Sequence, residues 1–197
     1  MEYMEILKDP TGHMGQNRNL PPELKSKARR LCWEYNQSPP DAAHRRQEIL
    51  RELFGTCHPL TFIEPSFRCD FGFNIHTHGL AVINYNCVIL DTSPVHIGAG
   101  AFLAPGVCLS CAGHSIDPAQ RSSGISTSRP ITLEEDVWIG ANAVVCGGVT
   151  IGKGSVIGAG SVVTRDIPAG VVAAGVPCRL IRPVTEEDKI PPERLAF

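Results

Sequence analysis

Apolar residues recur along the chain with two different periods, and the change from one to the other divides it. Behind Pro21 and Pro22, the residues Leu24, Ala28, Leu31, Cys32 and Tyr35 form a stripe at helical spacing. Proline suits a helix's first turn, where its missing N–H would have no partner anyway. Asn36 to Pro40 breaks the stripe. A second helix is expected from about Asp41 to Phe54, with Ile49, Leu50, Leu53 and Phe54 on one side, Arg45, Arg46 and Arg51 on a solvated face, and Gly55 as its stop. Residues 1–57 therefore read as an N-terminal cap built on a pair of α-helices. From about Leu60 the helical period is gone. Beyond Val95 a stricter one replaces it: Ile97, Leu103 and Leu109 are six apart, and so are Ile139, Val145, Ile151, Ile157 and Val163.

A period of six fits neither an amphipathic helix nor a flat alternating strand. It is the signature of a mainly β protein, a parallel β-helix of hexapeptide repeats, in which each unit forms one face of a triangular coil. The aliphatic side chain points inward. The residue four places on is small or β-branched (Ala101, Val107, Ala143, Val149, Ser155, Ser161, Ile167), and Gly98, Gly140, Gly152 and Gly158 follow their aliphatics directly. The solenoid is expected over residues 58–183, with a tail over 184–197. It is interrupted once, over 110–130, by a polar stretch rich in turn formers. A long loop leaving a regular solenoid is usually functional, and His114 stands at its start, where the rigid coil can still hold it.

Composition narrows the function. The 18 Lys and Arg against 20 Asp and Glu give a net charge of −2, which offers no general field for nucleic acid or an anionic membrane. No apolar run is long enough for a membrane span, and Glu2, Glu5, Lys8 and Asp9 interrupt the start where a signal peptide would be apolar. The 8 cysteines are scattered, so reduced thiols in a cytoplasmic protein are expected. Two metal patterns are present. His76, His78 and His96 lie in the coil-forming region, where three histidines across a subunit boundary could hold zinc, as in carbonic anhydrases of this fold. Cys108-x-x-Cys111-x-x-His114 has ligand-like spacing but no second pair. Phosphate-loop and dinucleotide motifs are absent.

Gly113-His114-Ser115-Ile116-Asp117-Pro118, followed by Pro130-Ile131-Thr132 and Val137-Trp138-Ile139-Gly140, resembles the maltose and galactoside O-acetyltransferases. So do Arg68 to Ile75, Asn84-Tyr85-Asn86, Trp33 to Ser38, Gly158 to Pro168 and Val171 to Arg179. The resemblance covers roughly residues 20–183. It implies left-handed coils, a homotrimer with active sites between subunits, acetyl-CoA as donor and a sugar or similar polyol hydroxyl as acceptor. His114 falls at the catalytic histidine position. Neutral imidazole can take a proton from a weakly nucleophilic hydroxyl as it attacks a thioester, and no metal is expected. Asn84 and Asp70 match acceptor-side positions, and Trp138 matches a tryptophan of the donor cleft. Ala141 and Ala159 match donor contacts made through the main chain, and Thr164, Arg165, Arg179 and Arg182 match the positions that meet the donor's phosphates. The chain also departs from the pattern. Gly12 to Arg18 lacks the family's acidic residue, Ser126-Thr127-Ser128 carries none either, and Thr92 stands where some members have Asp. Acceptor identity therefore stays open, and a non-catalytic assembly subunit or an acetyltransferase for a non-sugar acceptor are the alternatives.

Overall fold

The computed structural model describes residues 3–16 and 20–196. A three-sided parallel solenoid forms its body. The first face carries β2 (Thr61–Ile63), β5 (Ala81–Ile83), β8 (Ala101–Leu103), β13 (Trp138–Ile139), β16 (Val156–Ile157) and β18 (Val171–Ala174), with β19 (Arg179–Pro183) added antiparallel at the end. The second carries β3 (Arg68–Cys69), β6 (Val88–Leu90), β9 (Cys108–Ser110), β14 (Val144–Cys146) and β17 (Val162–Val163). The third carries β4 (Ile75–Thr77), β7 (Val95–Ile97), β12 (Ile131–Leu133) and β15 (Thr150–Ile151). The chain visits the faces in rotation, so each strand pairs in parallel with one from the neighbouring turn.

The six-residue series maps onto this rotation. Ile97, Leu103 and Leu109 fall on the third, first and second faces, and Ile139 through Val163 continue the cycle. All eight of these residues point inward and are no more than 1% exposed. Burying each such side chain is worth roughly 1.5–3 kcal/mol, and stacking makes the gain continuous along the axis. The glycines after the aliphatics permit close approach of successive coils. A Cβ on Gly140 would sit 2.5 Å from the Ala159 nitrogen. The solenoid also begins earlier than the strict period. Ile63 and Cys69, then Thr77, Ile83 and Ile89, take the same inward column, but two extra residues between Cys69 and Thr77 and again between Ile89 and Ile97 shift the spacing to eight.

The cap holds more than two helices. α2 (Pro22–Gln37) and α3 (Ala43–Leu53) close the wide end, and they are preceded by α1 (Tyr3–Leu7) and β1 (His13–Gln16). α2 runs through Asn36 because that side chain is satisfied outside the helix. Its amide donates to the Phe67 carbonyl at 2.9 Å and accepts from the Phe67 N–H at 2.8 Å. Tyr35 donates its hydroxyl to the Ile63 carbonyl at 2.6 Å, which ties the cap to the first coil. The arginine face of α3 is not simply solvated. Arg45 pairs with Glu34 of α2 and with Glu48, and Arg46 donates to Ser38 while lying over the Tyr35 ring.

The polar stretch is ordered as a hairpin. β10 (Ala112–His114) and β11 (Ile125–Ser128) pair antiparallel, with α4 (Pro118–Ser122) at the tip. Asp117 caps α4 by accepting the Gln120 N–H at 2.8 Å. β1 adds to the other edge of β11, His13 opposite Ser128 and Gln16 opposite Ile125.

Candidate active site

Three consecutive turns of the chain leave the second face at one corner, and these departures stack to build a cavity. Asp70 follows β3, Thr92 follows β6, and the β10–β11 hairpin follows β9. With Leu7, His13, Leu20 and Lys25 from the cap, they enclose a cavity of about 240 Å3. His114 stands on its wall. Its main chain is held in register against Ser126, and a Cβ at the adjacent Gly113 would meet the Thr127 hydroxyl at 2.7 Å, so the hairpin is tightly packed at that point. The His114 side chain is exposed. Opposite it, Lys25 of α2 pairs with Asp70 at 3.1 Å. Thr92 and Ser128 share a hydrogen bond of 2.6 Å between their hydroxyls.

A buried carboxylate organises the floor. Asp91 is fully buried and accepts the backbone N–H groups of Asp70 at 3.0 Å, Phe71 at 2.8 Å and Asn74 at 3.3 Å. Burial pushes its carboxyl up to about 6, although the amide hydrogen bonds oppose the shift. Asn74 extends the network by donating to the Leu7 carbonyl at 2.9 Å, which anchors α1. His13 lines the same cavity. Burial lowers its pKa, and its Nδ1 is buried without a hydrogen-bond partner.

The remaining site residues lie on a different corner. Asn84 follows β5 at the turn from the first face to the second. Ala141 follows β13 and Ala159 follows β16 at the equivalent turns, so all three stack along one edge of the solenoid. Trp138 projects from the first face beside this edge and is 53% exposed. Asn84 accepts the Tyr85 N–H at 2.8 Å on its side-chain oxygen, which leaves its amide NH2 as a donor. Thr164 and Arg165 sit in an exposed turn after β17, and Arg179 is exposed on β19. Arg182 differs from its neighbours, because Asp188 holds its guanidinium through two hydrogen bonds, at 2.6 and 2.7 Å. Asn17 and Arg18, the end of the acid-free N-terminal segment, lie outside the described residues.

Sequence reasoning missed Lys25, His13 and Asp91. Lys25 and His13 come from the cap and meet the corner only through tertiary packing. Asp91 left a readable trace, a carboxylate at the end of the apolar run Val88-Ile89-Leu90. The histidine pattern takes another form. His76 and His96 stack at 5.0 Å and His96 and His78 at 5.3 Å, with a hydrogen bond of 3.0 Å between His78 Nε2 and His96 Nδ1, so the rings form a ladder on the third face. Among the described residues, no three or more His, Cys, Asp or Glu side chains are arranged to hold a metal ion. Cys111 points into the core while His114 leaves it, so the cysteine–histidine spacing does not converge either. No helix of the described residues is long and apolar enough to cross a membrane.

Comparison with known proteins covers both parts of the fold. Residues 130–165 match the bacterial transferase hexapeptide family (six repeats), and residues 23–58 match the maltose acetyltransferase hexapeptide capping motif. The chain is 43% identical over 168 residues to the galactoside O-acetyltransferase of Escherichia coli K12, covering 85% of this chain and 83% of that one. A crystal structure of a maltose O-acetyltransferase from Clostridium difficile 630 superposes with a TM-score of 0.88 at 38% identity, over 94% of this chain and 99% of the other. A hexapeptide-repeat acetyltransferase of Vibrio cholerae, solved in complex with acetyl-coenzyme A, superposes with a TM-score of 0.86 at 36% identity, over 94% of this chain and all of the other (100%).

Proposed function

Because this chain belongs to the galactoside and maltose O-acetyltransferase family of hexapeptide-repeat proteins, and is an acetyl-CoA-dependent acetyltransferase, we propose that it moves the acetyl group to a hydroxyl of a sugar or similar polyol, with His114 as general base. His114 takes the hydroxyl proton as the oxygen attacks the thioester carbonyl. The same imidazole, now protonated, gives that proton to the departing thiolate, so no group on the enzyme is acylated. A backbone amide of the coil stabilises the charge that develops on the carbonyl oxygen. Asp70 accepts hydrogen bonds from acceptor hydroxyls, and the ion pair with Lys25 holds its carboxylate in place. The missing acidic residues make this wall less anionic than the family pattern, so neutral polyols suit it.

We also infer where the donor lies. Ala141 and Ala159 carry no side chain beyond Cβ, so the pantetheine arm can run against their main chain, with Trp138 beside it. Thr164, Arg165 and Arg179 face the phosphates. Arg182 supports this end of the site through Asp188. The enzyme works in the cytoplasm, a compartment that suits its scattered free cysteines.

One observation carries this reading. The wall with His114 and Asp70 and the donor edge with Trp138, along which the acceptor-side Asn84 also lies, occupy different corners of the same three-sided coil. A site that needs both is complete when one subunit's histidine corner faces a neighbour's donor edge, as in a homotrimer. A mixing experiment tests this. His114→Ala and Asn84→Ala chains, each nearly inactive alone, are co-expressed with different tags and the mixed trimers isolated. Activity should return in the mixture, because one boundary per trimer recovers an intact pair. A mixture no more active than its parents contradicts a shared site.

A further inference from the structure

We propose that Cys32 and Cys69 form a redox-active dithiol, a modification site that reacts with an anionic low-molecular-weight disulfide and closes to an internal disulfide. Cys32 lies on α2 and Cys69 on β3, far apart in sequence, and their sulfurs stand 3.6 Å apart in a thiol–thiol hydrogen bond. A disulfide bond is about 2.05 Å long, so closure asks each sulfur to move by less than about an ångström. The pair opens onto a cavity of about 400 Å3 beside α2. Arg29 and Arg68 line this cavity, and among the described residues neither guanidinium has a side-chain partner. Trp33, 66% exposed, lines it too. Two free cations and an apolar surface around a thiol pair fit a small disulfide bearing carboxylates.

The two sulfurs have different roles. The hydrogen bond from Cys69 lowers the Cys32 pKa, with a smaller contribution from Arg68, while burial and the nearby Asp91 oppose it. The Cys69 thiol is raised, first by that same bond and then by burial. Burial also pushes up the thiols of Cys57, Cys87, Cys108, Cys111 and Cys178. Cys32 shares a face of α2 with Arg29, three residues earlier, and both line the cavity, which makes Cys32 the attacking thiolate and Cys69 the resolving thiol. The Cys32 thiolate attacks one sulfur of the external disulfide, forming a mixed disulfide and releasing one thiolate. The Cys69 thiol then loses its proton and attacks the Cys32 sulfur, and the second external thiol leaves with that proton. Two protein thiols are oxidised and one external disulfide is reduced to two thiols. The bond would tie α2 to β3, the elements that bring Lys25 and Asp70 to the candidate active site.

The test treats the full chain with glutathione disulfide, quenches with an alkylating agent, and reads the products by intact mass and peptide mapping. The proposal expects loss of two hydrogens and a cross-linked peptide pair containing Cys32 and Cys69, formed before any other cysteine is thiolated. In Cys69→Ser the mixed disulfide should persist on Cys32 as one bound glutathione. In Arg29→Ala the reaction with glutathione disulfide should slow several-fold while reaction with neutral hydroxyethyl disulfide is unchanged. Thiolation at Cys57 or Cys146 with Cys32 and Cys69 still alkylatable would overturn the proposal, as would Cys69→Ser carrying no adduct on Cys32.

Discussion

Replacing Gly140 with Ala should damage the solenoid by a steric route that leaves a distinct signature. The added Cβ would stand 2.5 Å from the Ala159 nitrogen, 2.7 Å from the Ile157 carbonyl oxygen and 2.9 Å from the Ala159 Cα. Ordinary contact begins at about 3.5 Å, so one coil must slide by about an ångström against the next. That movement stretches the bond from the Gly140 N–H to Ile157, now 2.7 Å, and the bond from Gly160 to Ala141, now 2.8 Å. Overpacking of this kind costs roughly 1–3 kcal/mol, and the stiffer unfolded chain recovers about 0.4–1 kcal/mol. A net loss of about 1–2 kcal/mol is expected. Gly154 supplies the contrast. Its φ is +69°, but nothing lies within 4 Å of an added Cβ. Alanine there meets only backbone strain, and Asn should relieve most of it, since Asn86 and Asn142 already hold positive φ at other corners. At Gly140 Asn should be no better than Ala. Urea midpoints for the four variants decide the matter. Because Ala141 and Ala159 lie at the moved coil, Gly140→Ala should also raise the acetyl-CoA KM, whereas Gly154→Asn should not. Equal midpoints for Gly140→Ala and wild type, or rescue of Gly140 by Asn, would refute the coil-stacking argument.

Other predictions concern the cap, the floor and the two walls. Tyr35→Phe removes a buried hydroxyl from the Ile63 carbonyl and should cost about 1–2 kcal/mol in urea unfolding, with little change in turnover. Asp91 and His76 should pull stability in opposite directions at mildly acid pH. Asp91 has a folded-state pKa of about 6, above its unfolded value near 3.9, so its contribution is complete below about pH 4 and is lost as pH rises through 6. His76 is lowered to about 4 by burial and the neighbouring histidines, so its contribution is present above about 6.5 and is lost as pH falls toward 4. In His76→Gln, stability should therefore decline more steeply as pH rises from 4 to 6 than it does in wild type, measured by urea midpoints at each pH. Asp70→Asn should raise the acceptor KM several-fold and leave the acetyl-CoA KM unchanged. Arg179→Ala should raise the acetyl-CoA KM more than Arg182→Ala, because Asp188 already engages Arg182.

The sequence made the regular coils visible and hid what departs from them. Ile139 to Val163 could be read directly because an inward side chain every six residues is a local constraint, repeated without interruption. The coils from Thr61 to Leu90 obey the same constraint, but the insertions after Cys69 and Ile89 disturb its spacing. Those irregular corners, with the excursion after Ser110, are what make room for the cavity. β1 carried no strand signal. His13-Met14-Gly15-Gln16 has no apolar alternation and is a strand because the edge of β11, more than a hundred residues away, offers it partners. His114 was legible because it stands where the repeat breaks. Its neighbours Lys25 and His13 were not, since nothing local records that the cap folds over that corner. The approach of Cys32 to Cys69 was hidden for the same reason.

The most direct measurement of the central claim follows acetylated product from acetyl-CoA by mass spectrometry across a panel of sugars and polyols, with wild type and His114→Ala side by side. The account predicts product with wild type, a loss of at least about a hundredfold in turnover for the variant, and nearly unchanged acetyl-CoA affinity. Turnover by His114→Ala within a few-fold of wild type would contradict it.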